Sequence, residues 1–326
     1  MIYDPLVHPF ELPVQQLRLH CELAEPLHLE PRPGSTPGTS LSGVFGHALW
    51  DTQCRRLQRG DRPCHREPST LDPSGRTAAC CHEPEHCAVR WLHGGRQLNN
   101  LPRPVFLHAP ALEENRPVDD FTLHLTLWGR RALALREVIF QVLESAGERG
   151  IIGPGERAIP FVITRLEEEP VSTLAARLAP LRDTGWRGAL LRFTTLFRHK
   201  ETVTVMERGR PVSRKLFFAQ GELPLAKILG NVAYQLAAWD MQDRELNGVE
   251  RHDLARQARR AAEATADAVV VTRSALLPVD HGERLAKSNG LLYSIHGFVG
   301  EVELGGTLDK ALPWLQALAL GGGGEG

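Results

Sequence analysis

The strongest constraint on the fold is the period-two pattern of residues 290–306, GLLYSIHGFVGEVELGG. Leu291, Tyr293 and Ile295 share one parity, and Phe298, Val302 and Leu304 share the other. Strand side chains alternate between faces, so an apolar set that changes parity needs a bulge or a turn. Glycine tolerates the unusual dihedrals, which places that break at Gly297. The stretch therefore reads as a pair of strands that keeps one core face through a bend.

The same period recurs upstream. Leu17, Leu19, Cys21 and Leu23 alternate within residues 14–24, and Phe121, Leu123, Leu125 and Leu127 alternate against polar Thr122, His124 and Thr126. Between these strands, Leu41, Val44, Phe45, Ala48 and Leu49 fall on one side of a helix expected over residues 40–57. A short strand at 105–107, a helix over 131–148 and a strand at 159–166 complete a strand, helix, two strands, helix, strand order, which is ferredoxin-like. After a connector at 170–185 the order restarts. Strands are expected near 190–197 and 202–206, helices over 223–243 and 249–266, a strand at 268–272, the opening stretch, and a last helix over 308–320. The fold expected is α+β, two ferredoxin-like (RRM-like) domains in tandem, residues 1–184 and 185–326. Residues 58–100, polar and rich in Cys, His, Arg and Pro, form an insertion in the first domain.

Composition sets the limits. With 326 residues, 42% of them hydrophobic, the chain can build about two cores. It has no signal-peptide pattern and no apolar run of about 18 residues, so no membrane segment is expected and the cytoplasm is the expected compartment. The net charge of −1 argues against diffuse phosphate binding, so any nucleic-acid surface has to come from local clusters of arginine. Five of the six cysteines lie between Cys54 and Cys87, where a reducing compartment makes a metal or free thiols likelier than disulfides.

Residues 269–274 (VVVTRS) together with residues 290–306 resemble the C-terminal signature of the CRISPR-associated repeat-RNA endoribonucleases of the repeat-associated mysterious protein (RAMP) superfamily. In that signature a basic segment leads into a Gly-Phe/Leu-Val-Gly-Glu-Val strand. Gly43, Phe45, Gly46, His47, Ala48 and Leu49 are similar to the family's Gly-x-Phe-Gly-His-Ala-Leu helix. The resemblance implies a crRNA-processing enzyme that cleaves a CRISPR repeat RNA hairpin by attack of a 2′-OH on the neighbouring phosphate. No catalytic cofactor is needed for that reaction. The alternative is a non-catalytic CRISPR RNA-binding subunit associated with other effector-complex subunits. Family members usually continue after the last helix with a glycine-rich hairpin and a strand, whereas this chain reads GGGGEG, so the second domain is expected to be atypical at its end.

His47 is the catalytic candidate, because an imidazole with an ordinary pKa of about 6.5 can take or give the proton such cleavage moves. Its apolar neighbours Val44, Phe45, Ala48 and Leu49 also fit a half-buried structural histidine. Tyr3, His28 and Lys200 could complete an acid and charge-stabilising set, although no spacing links them to His47. For RNA binding, Arg149 and Arg157 flank a glycine-rich loop, and His252, Arg256, Arg259 and Arg260 form one stripe of a helix. Arg273, Arg284 and Lys287 flank the signature strand, residues 279–289 read as a flexible connector, and His296 adjoins Gly297. A structural zinc could be held by Cys54, Cys64, Cys81 (or Cys80) and Cys87, with unliganded thiols on a loop as the other reading. His82, Glu83 and His86 spell H-E-x-x-H, but Pro84 sits inside the motif, where a helix would lose about 3 kcal/mol. A metalloprotease helix is therefore not expected. A third class, an ancillary metalloenzyme built on this Cys/His loop, stays open from sequence.

Overall fold

The computed structural model describes Asp4 and residues 7–27, 37–54, 87–93, 103–108, 117–152, 157–182, 186–197, 200–207, 210–217, 223–244, 248–285 and 292–321. The chain is α+β, with two ferredoxin-like units in tandem. Contacts group residues 1–30, 36–177 and 234–257 into unit 1, and residues 31–35, 178–233 and 258–326 into unit 2.

Unit 1 begins with β1 (Pro13–Leu27), α1 (Pro37–Gln53), α2 (Ala88–His93), β2 (Val105–His108) and β3 (Val118–Trp128). It continues with α3 (Gly129–Ala134), α4 (Arg136–Arg149), the short β4 (Ile151–Ile152) and β5 (Ala158–Ile159), β6 (Phe161–Glu168), β7 (Ser172–Thr173) and the first turn of α5 (Leu174–Arg182), whose residues from Leu178 on group with unit 2. The strands are antiparallel in the order β2-β3-β1-β6, the arrangement expected when two strand-helix-strand halves interleave.

The alternation along β1 and β3 dictates this unit's core. Leu17, Leu19 and Cys21 lie against Phe121, Leu123, Leu125 and Leu127, and one face of the sheet is thereby apolar. Phe45, Ala48 and Leu49 of α1 and Ile139, Val142, Leu143 and Ala146 of α4 cover it. Burying each large aliphatic side chain contributes about 1.5–3 kcal/mol, so this face dominates the unit's stability. The Cys21 thiol is part of this core, and burial pushes its pKa up to about 12, which leaves it inert.

The opposite face of the same sheet is divided. At one end Trp128 stacks on Trp239, with ring centroids 5.5 Å apart and 25° between planes, and Phe106 meets Trp239 edge-on. Trp239 belongs to α6 (Leu225–Asp243), whose C-terminal half clusters with unit 1. Asp243, at the end of that helix, accepts hydrogen bonds from the backbone N–H groups of Arg130 and Arg131 and so caps the start of α3. The other end of the face is polar and partly open.

Unit 2 contains β8 (Ala189–Phe197), the hairpin β9 (Lys200–Glu207) and β10 (Arg210–Phe217), the first half of α6, the end of α7 (Gly248–Thr265), β11 (Val269–Leu285), β12 (Leu292–Gly306) and α8 (Leu312–Gly321). β11, β12 and β8 form one sheet in that order, so β8, β11 and β12 take the places of the first three ferredoxin-like strands. Among the described residues no fourth strand follows α8.

Several expectations from sequence need correction. The helix expected over 131–148 is two helices, broken at Leu135, whose φ of −93° and ψ of 12° leave the helical region. The second strand of unit 2 is one arm of a hairpin that forms its own sheet, because β10 pairs with it in full register from Arg210–Glu207 to Phe217–Lys200. Residues 279–285 are not a connector but the end of β11, paired with β12. Residues 292–306 are one continuous strand rather than two; Gly297 itself is paired with Val279, and the register shifts on either side of it, against β11 opposite Ser294 and His296 and against β8 between Phe298 and Gly300 (φ 120°). A Cβ at Gly300 would overlap the Ala275 carbonyl oxygen of β11, so only glycine fits at this point of the strand.

Gly300→Ala should therefore cost about 1–3 kcal/mol through strain and overlap. Gly43→Ala, in the exposed interior of α1 with nothing within 4 Å of its Cβ position, should gain about 0.5–1 kcal/mol. Equilibrium urea unfolding of the two variants tests both signs.

Candidate nucleic-acid interface

His47 is exposed on α1, between buried Phe45 and Ala48, so the half-buried structural reading does not describe it. Asp51 lies one helical turn further along the same side. Its carboxylate is paired with the Arg149 guanidinium in the last turn of α4. The packing of α1 beside α4 thus gathers an imidazole, a carboxylate and a guanidinium along one helix pair. The glycine-rich loop begins at Gly150 (φ 80°), and residues 153–156 lie outside the described residues. Beyond it, exposed Arg157 pairs with Glu25 of β1 at 2.6 Å.

The stripe on α7 is less uniform than its spacing suggests. His252 is half-buried, and its Nδ1 lies 2.9 Å from the Tyr234 hydroxyl of α6. Arg259 donates to Asn231 on α6 and lies 3.3 Å from Glu263. These two side chains therefore join helices. Arg256 and Arg260 are exposed, Arg256 standing 3.8 Å from Asp253. In unit 2, exposed Arg273 lies 3.4 Å from Glu303 across the β11–β12 pair, and Arg192 is 2.6 Å from Glu301. Arg284 and His296 are on β11 and β12, in register with Tyr293 and Asp280 respectively. Lys287, Tyr3 and His28 lie outside the described residues, and Lys200 opens β9.

Cys54 follows α1 and is buried in the core cluster, and Cys87 precedes α2 and is partly buried against that cluster. The two ends of the insertion thus meet one apolar core. Cys64, Cys80, Cys81 and the His82-Glu83-His86 motif lie outside the described residues, and among the described residues no group of three or more ligating side chains is placed to hold a metal. Likewise, no helix among them is long and apolar enough to cross a membrane.

Sequence reasoning missed a second polar cluster, on the open part of the unit 1 sheet. The register sets His108 of β2 opposite His124 of β3, His124 opposite Arg18 of β1, and Arg18 opposite Glu167 of β6. One row across four strands therefore carries two imidazoles, a guanidinium and a carboxylate. His20, two residues from Arg18, donates from Nε2 to Glu167 at 3.3 Å, and Arg18 and Arg165 reach the same carboxylate at 3.1 and 2.7 Å. The hydrogen bond from His20, then Arg165 and Arg18, holds the Glu167 carboxyl below the usual range. Burial, followed by repulsion from Arg18 and His20, lowers the pKa of His124, and burial with repulsion from His124 lowers that of His108. Their rings are 6.2 Å apart. The available signal was the recurrence of Arg and His at the polar positions of β1 and β3. It could not be read without knowing which strands are neighbours.

A family model described as AF_1859_N, an N-terminal domain, matches residues 12–183, more than half of the chain. The chain belongs to the AF_1859_N family. The matched span runs from the start of β1 to just past α5, so the family's domain contains both clusters of unit 1. Among solved structures, a Cas6 (TTHB231) product complex is similar at 16% identity, over 95% of this chain and 96% of that one, with a TM-score of 0.48. Thermus thermophilus Cas6 (TTHB231) is similar at 14% identity over 95% and 91%, with a TM-score of 0.42. A Cas6-related protein from Pyrococcus furiosus is similar at 10% identity over 91% and 89%, with a TM-score of 0.36. No curated protein matches the chain.

The depressed histidines fix the sign of one pH effect. An unfolded chain binds protons at ordinary imidazole values, about 6.5, before folded His108 and His124 do. Stability is therefore full above that value and declines as pH falls through it toward the lowered folded values. The urea midpoint should drop between pH 7.5 and 5.5, and a His108→Gln/His124→Gln variant should drop less.

Proposed function

We propose that this chain is a CRISPR repeat-RNA-processing endoribonuclease that cleaves by 2′-OH transesterification without a catalytic metal and keeps hold of the product hairpin. The observation that carries the reading is the solvent-exposed His47 on α1, in the Gly-x-Phe-Gly-His-Ala-Leu pattern, on the helix that also positions Asp51 and Arg149. Two ferredoxin-like units in series, read from their own strand orders, agree with it. The site of action would be the cytoplasm.

In this reaction the 2′-hydroxyl loses its proton and its oxygen attacks the adjacent phosphorus, while the P–O5′ bond breaks and O5′ gains a proton, leaving a 2′,3′-cyclic phosphate and a 5′-OH. His47 takes the first proton as base or gives the second as acid, and water fills the other role. Negative charge builds on the phosphoryl oxygens during attack, and a guanidinium stabilises it. Arg149, paired with Asp51 one turn along α1 from His47, is the candidate, and an entering phosphate would compete with Asp51 for it. The phosphoryl group passes from O5′ to O2′ with no change of oxidation state, and the two oxygens exchange only protons with their surroundings, so the chemistry requires no cofactor. Arg157, Arg256, Arg260 and Arg273 are exposed and are the candidates for RNA phosphate contacts on their own units, as are Arg284, Lys287 and His296 in or next to the signature segment. A structural zinc on Cys54, Cys64, Cys81 and Cys87 would tie the insertion to the core and take no part in cleavage.

Incubation of a cognate repeat RNA in EDTA should yield the cyclic phosphate product. His47→Ala should slow single-turnover cleavage by about 10²–10⁴-fold while leaving RNA affinity unchanged. A wild-type protein that binds repeat RNA tightly but never cuts it would select the non-catalytic subunit instead. Zinc removal that stops turnover of a folded protein would select the metalloenzyme.

Phosphate contacts also predict a steep salt response. Replacing Arg256 and Arg260 by Gln should weaken RNA binding and reduce the slope of log K against log salt by about 2. Titrations at several salt concentrations measure it.

A further inference from the structure

The row of basic side chains on the open part of the unit 1 sheet is not used by the cleavage reading. It lies on the face opposite the one that α1 and α4 cover, because Arg18, His20 and His124 have the other parity from Leu17, Leu19 and Leu123. His47, on α1, is therefore on the other side of the sheet. We propose that this face binds a phosphate ester, with Arg18 and His124 as the central pair and His20, His108 and Arg165 around them.

Arg18 and His124 are directly opposed on neighbouring antiparallel strands, and His20 is the diagonal neighbour of His124, so their Cβ atoms lie within about 5–8 Å. That is the width of a phosphate held between side chains. Arg18 and Arg165 offer planar forks suited to two phosphoryl oxygens, and imidazoles offer single donors. Side chains of Arg18 and Arg165 are 52% and 69% exposed and that of His20 35%, so a ligand can reach them. The apolar end of the same face, closed by the Trp128–Trp239 stack, confines the ligand to the polar end.

Charge accounting explains why the site should respond to pH. The groups facing it are Arg18, His20 and Glu22 from β1, His124 and Asp120 from β3, His108 from β2, Arg165 and Glu167 from β6, and, bonded to Gln16 one row before Arg18, Arg177 of α5, which is paired with Glu169. Glu22 and Asp120 are paired in register at the far end, one row beyond His20. At the centre, Glu167 offsets one of the two arginines, leaving about one positive charge while the histidines are neutral. Mutual repulsion and burial disfavour protonation of His108 and His124 in the empty face. A bound phosphate removes that penalty. Binding therefore takes up protons, and affinity rises as pH falls.

The shared chemistry is the phosphate ester, whether carried by a free nucleotide or by a polynucleotide backbone. The test uses the full chain, with inorganic phosphate, AMP and a single-stranded eight-nucleotide RNA as probes, followed by calorimetry and by the Cε1–H resonances of the histidines. Adding a proton about 5 Å from a phosphate in a watery site is worth roughly fourfold in affinity, so two give about tenfold or more between pH 7.5 and 5.5. Wild-type protein should show that rise with net proton uptake on binding the RNA, whose phosphodiesters do not titrate in this range, and shifts of the His108 and His124 resonances with any probe that binds. The double substitution His108→Gln/His124→Gln should flatten the pH dependence, and Arg18→Gln should weaken binding at both pH values. Glu167→Gln should tighten binding at pH 7.5 by releasing two guanidinium groups. AMP binding as tightly as the RNA would assign a mononucleotide, and RNA binding much more tightly would assign a chain phosphodiester. Unmoved His108 and His124 resonances with all three probes, or an unchanged pH slope in the folded double variant, overturn the proposal. His47→Ala should alter none of these readouts, so this face stands or falls independently of RNA cleavage.

Discussion

Antiparallel pairing of β1 with β3 is the interaction on which unit 1 depends. It brings two period-two apolar sets onto one face, and only helices with matching stripes can cover that face. Leu17, Leu19, Cys21, Leu123, Leu125 and Leu127 are almost wholly buried because α1 and α4 provide those stripes. A slip of one residue in this pairing would turn leucines to solvent and Arg18, His20 and His124 into the core, at several kilocalories per mole for each buried charge. Register is thus strongly specified. The same pairing that builds the core lines up the polar row on the other side.

Much of this was legible in the sequence, and the reason is local. Alternation and helical spacing are properties of short windows, so β1, β3, α1, α6 and α7 could be anticipated from their own residues. The tandem ferredoxin-like order follows from the order of such windows. What failed involved partners distant in sequence. β11 continues to Leu285 because β12 pairs with it along that length, although residues 279–285 look like a polar linker in isolation. The strand does not break at Gly297, and the glycine that the packing requires is Gly300, where a Cβ would meet the Ala275 carbonyl of the neighbouring strand. No parity argument within residues 290–306 could contain that information.

The candidate site divides in the same way. His47 stood out through a helix motif, and its exposure is settled by how α1 lies on the sheet. The companions Asp51 and Arg149 are 98 residues apart and meet only because α1 and α4 share a face. The histidine row depends on strand order in full: His108, His124, Arg18 and Glu167 come from four strands, and no pair of them is near in sequence. His252 and Arg259 show the converse case. Their helical spacing suggested a solvent-facing stripe, yet Tyr234 and Asn231 on α6 draw them into a helix–helix contact.

Many of the arginines proposed to meet phosphates already have a carboxylate partner: Arg149 with Asp51, Arg157 with Glu25, Arg273 with Glu303, Arg18 and Arg165 with Glu167. This does not count against their binding nucleic acid. Exposed ion pairs are worth only about 0–1 kcal/mol, because water solvates both charges well and two long side chains lose freedom. A phosphate contact also releases a condensed counterion, which adds a favourable term the protein pair lacks. The paired carboxylates act instead as a filter. They cancel most of each guanidinium's charge at long range, so a chain with a net charge of −1 attracts polyanions weakly until several arginines engage together. A ligand that meets one arginine gains little after displacing its carboxylate, whereas a folded ligand that meets several gains at every contact after a single loss of rotational freedom. Selection for a shaped ligand over an arbitrary strand is the expected consequence of that arrangement.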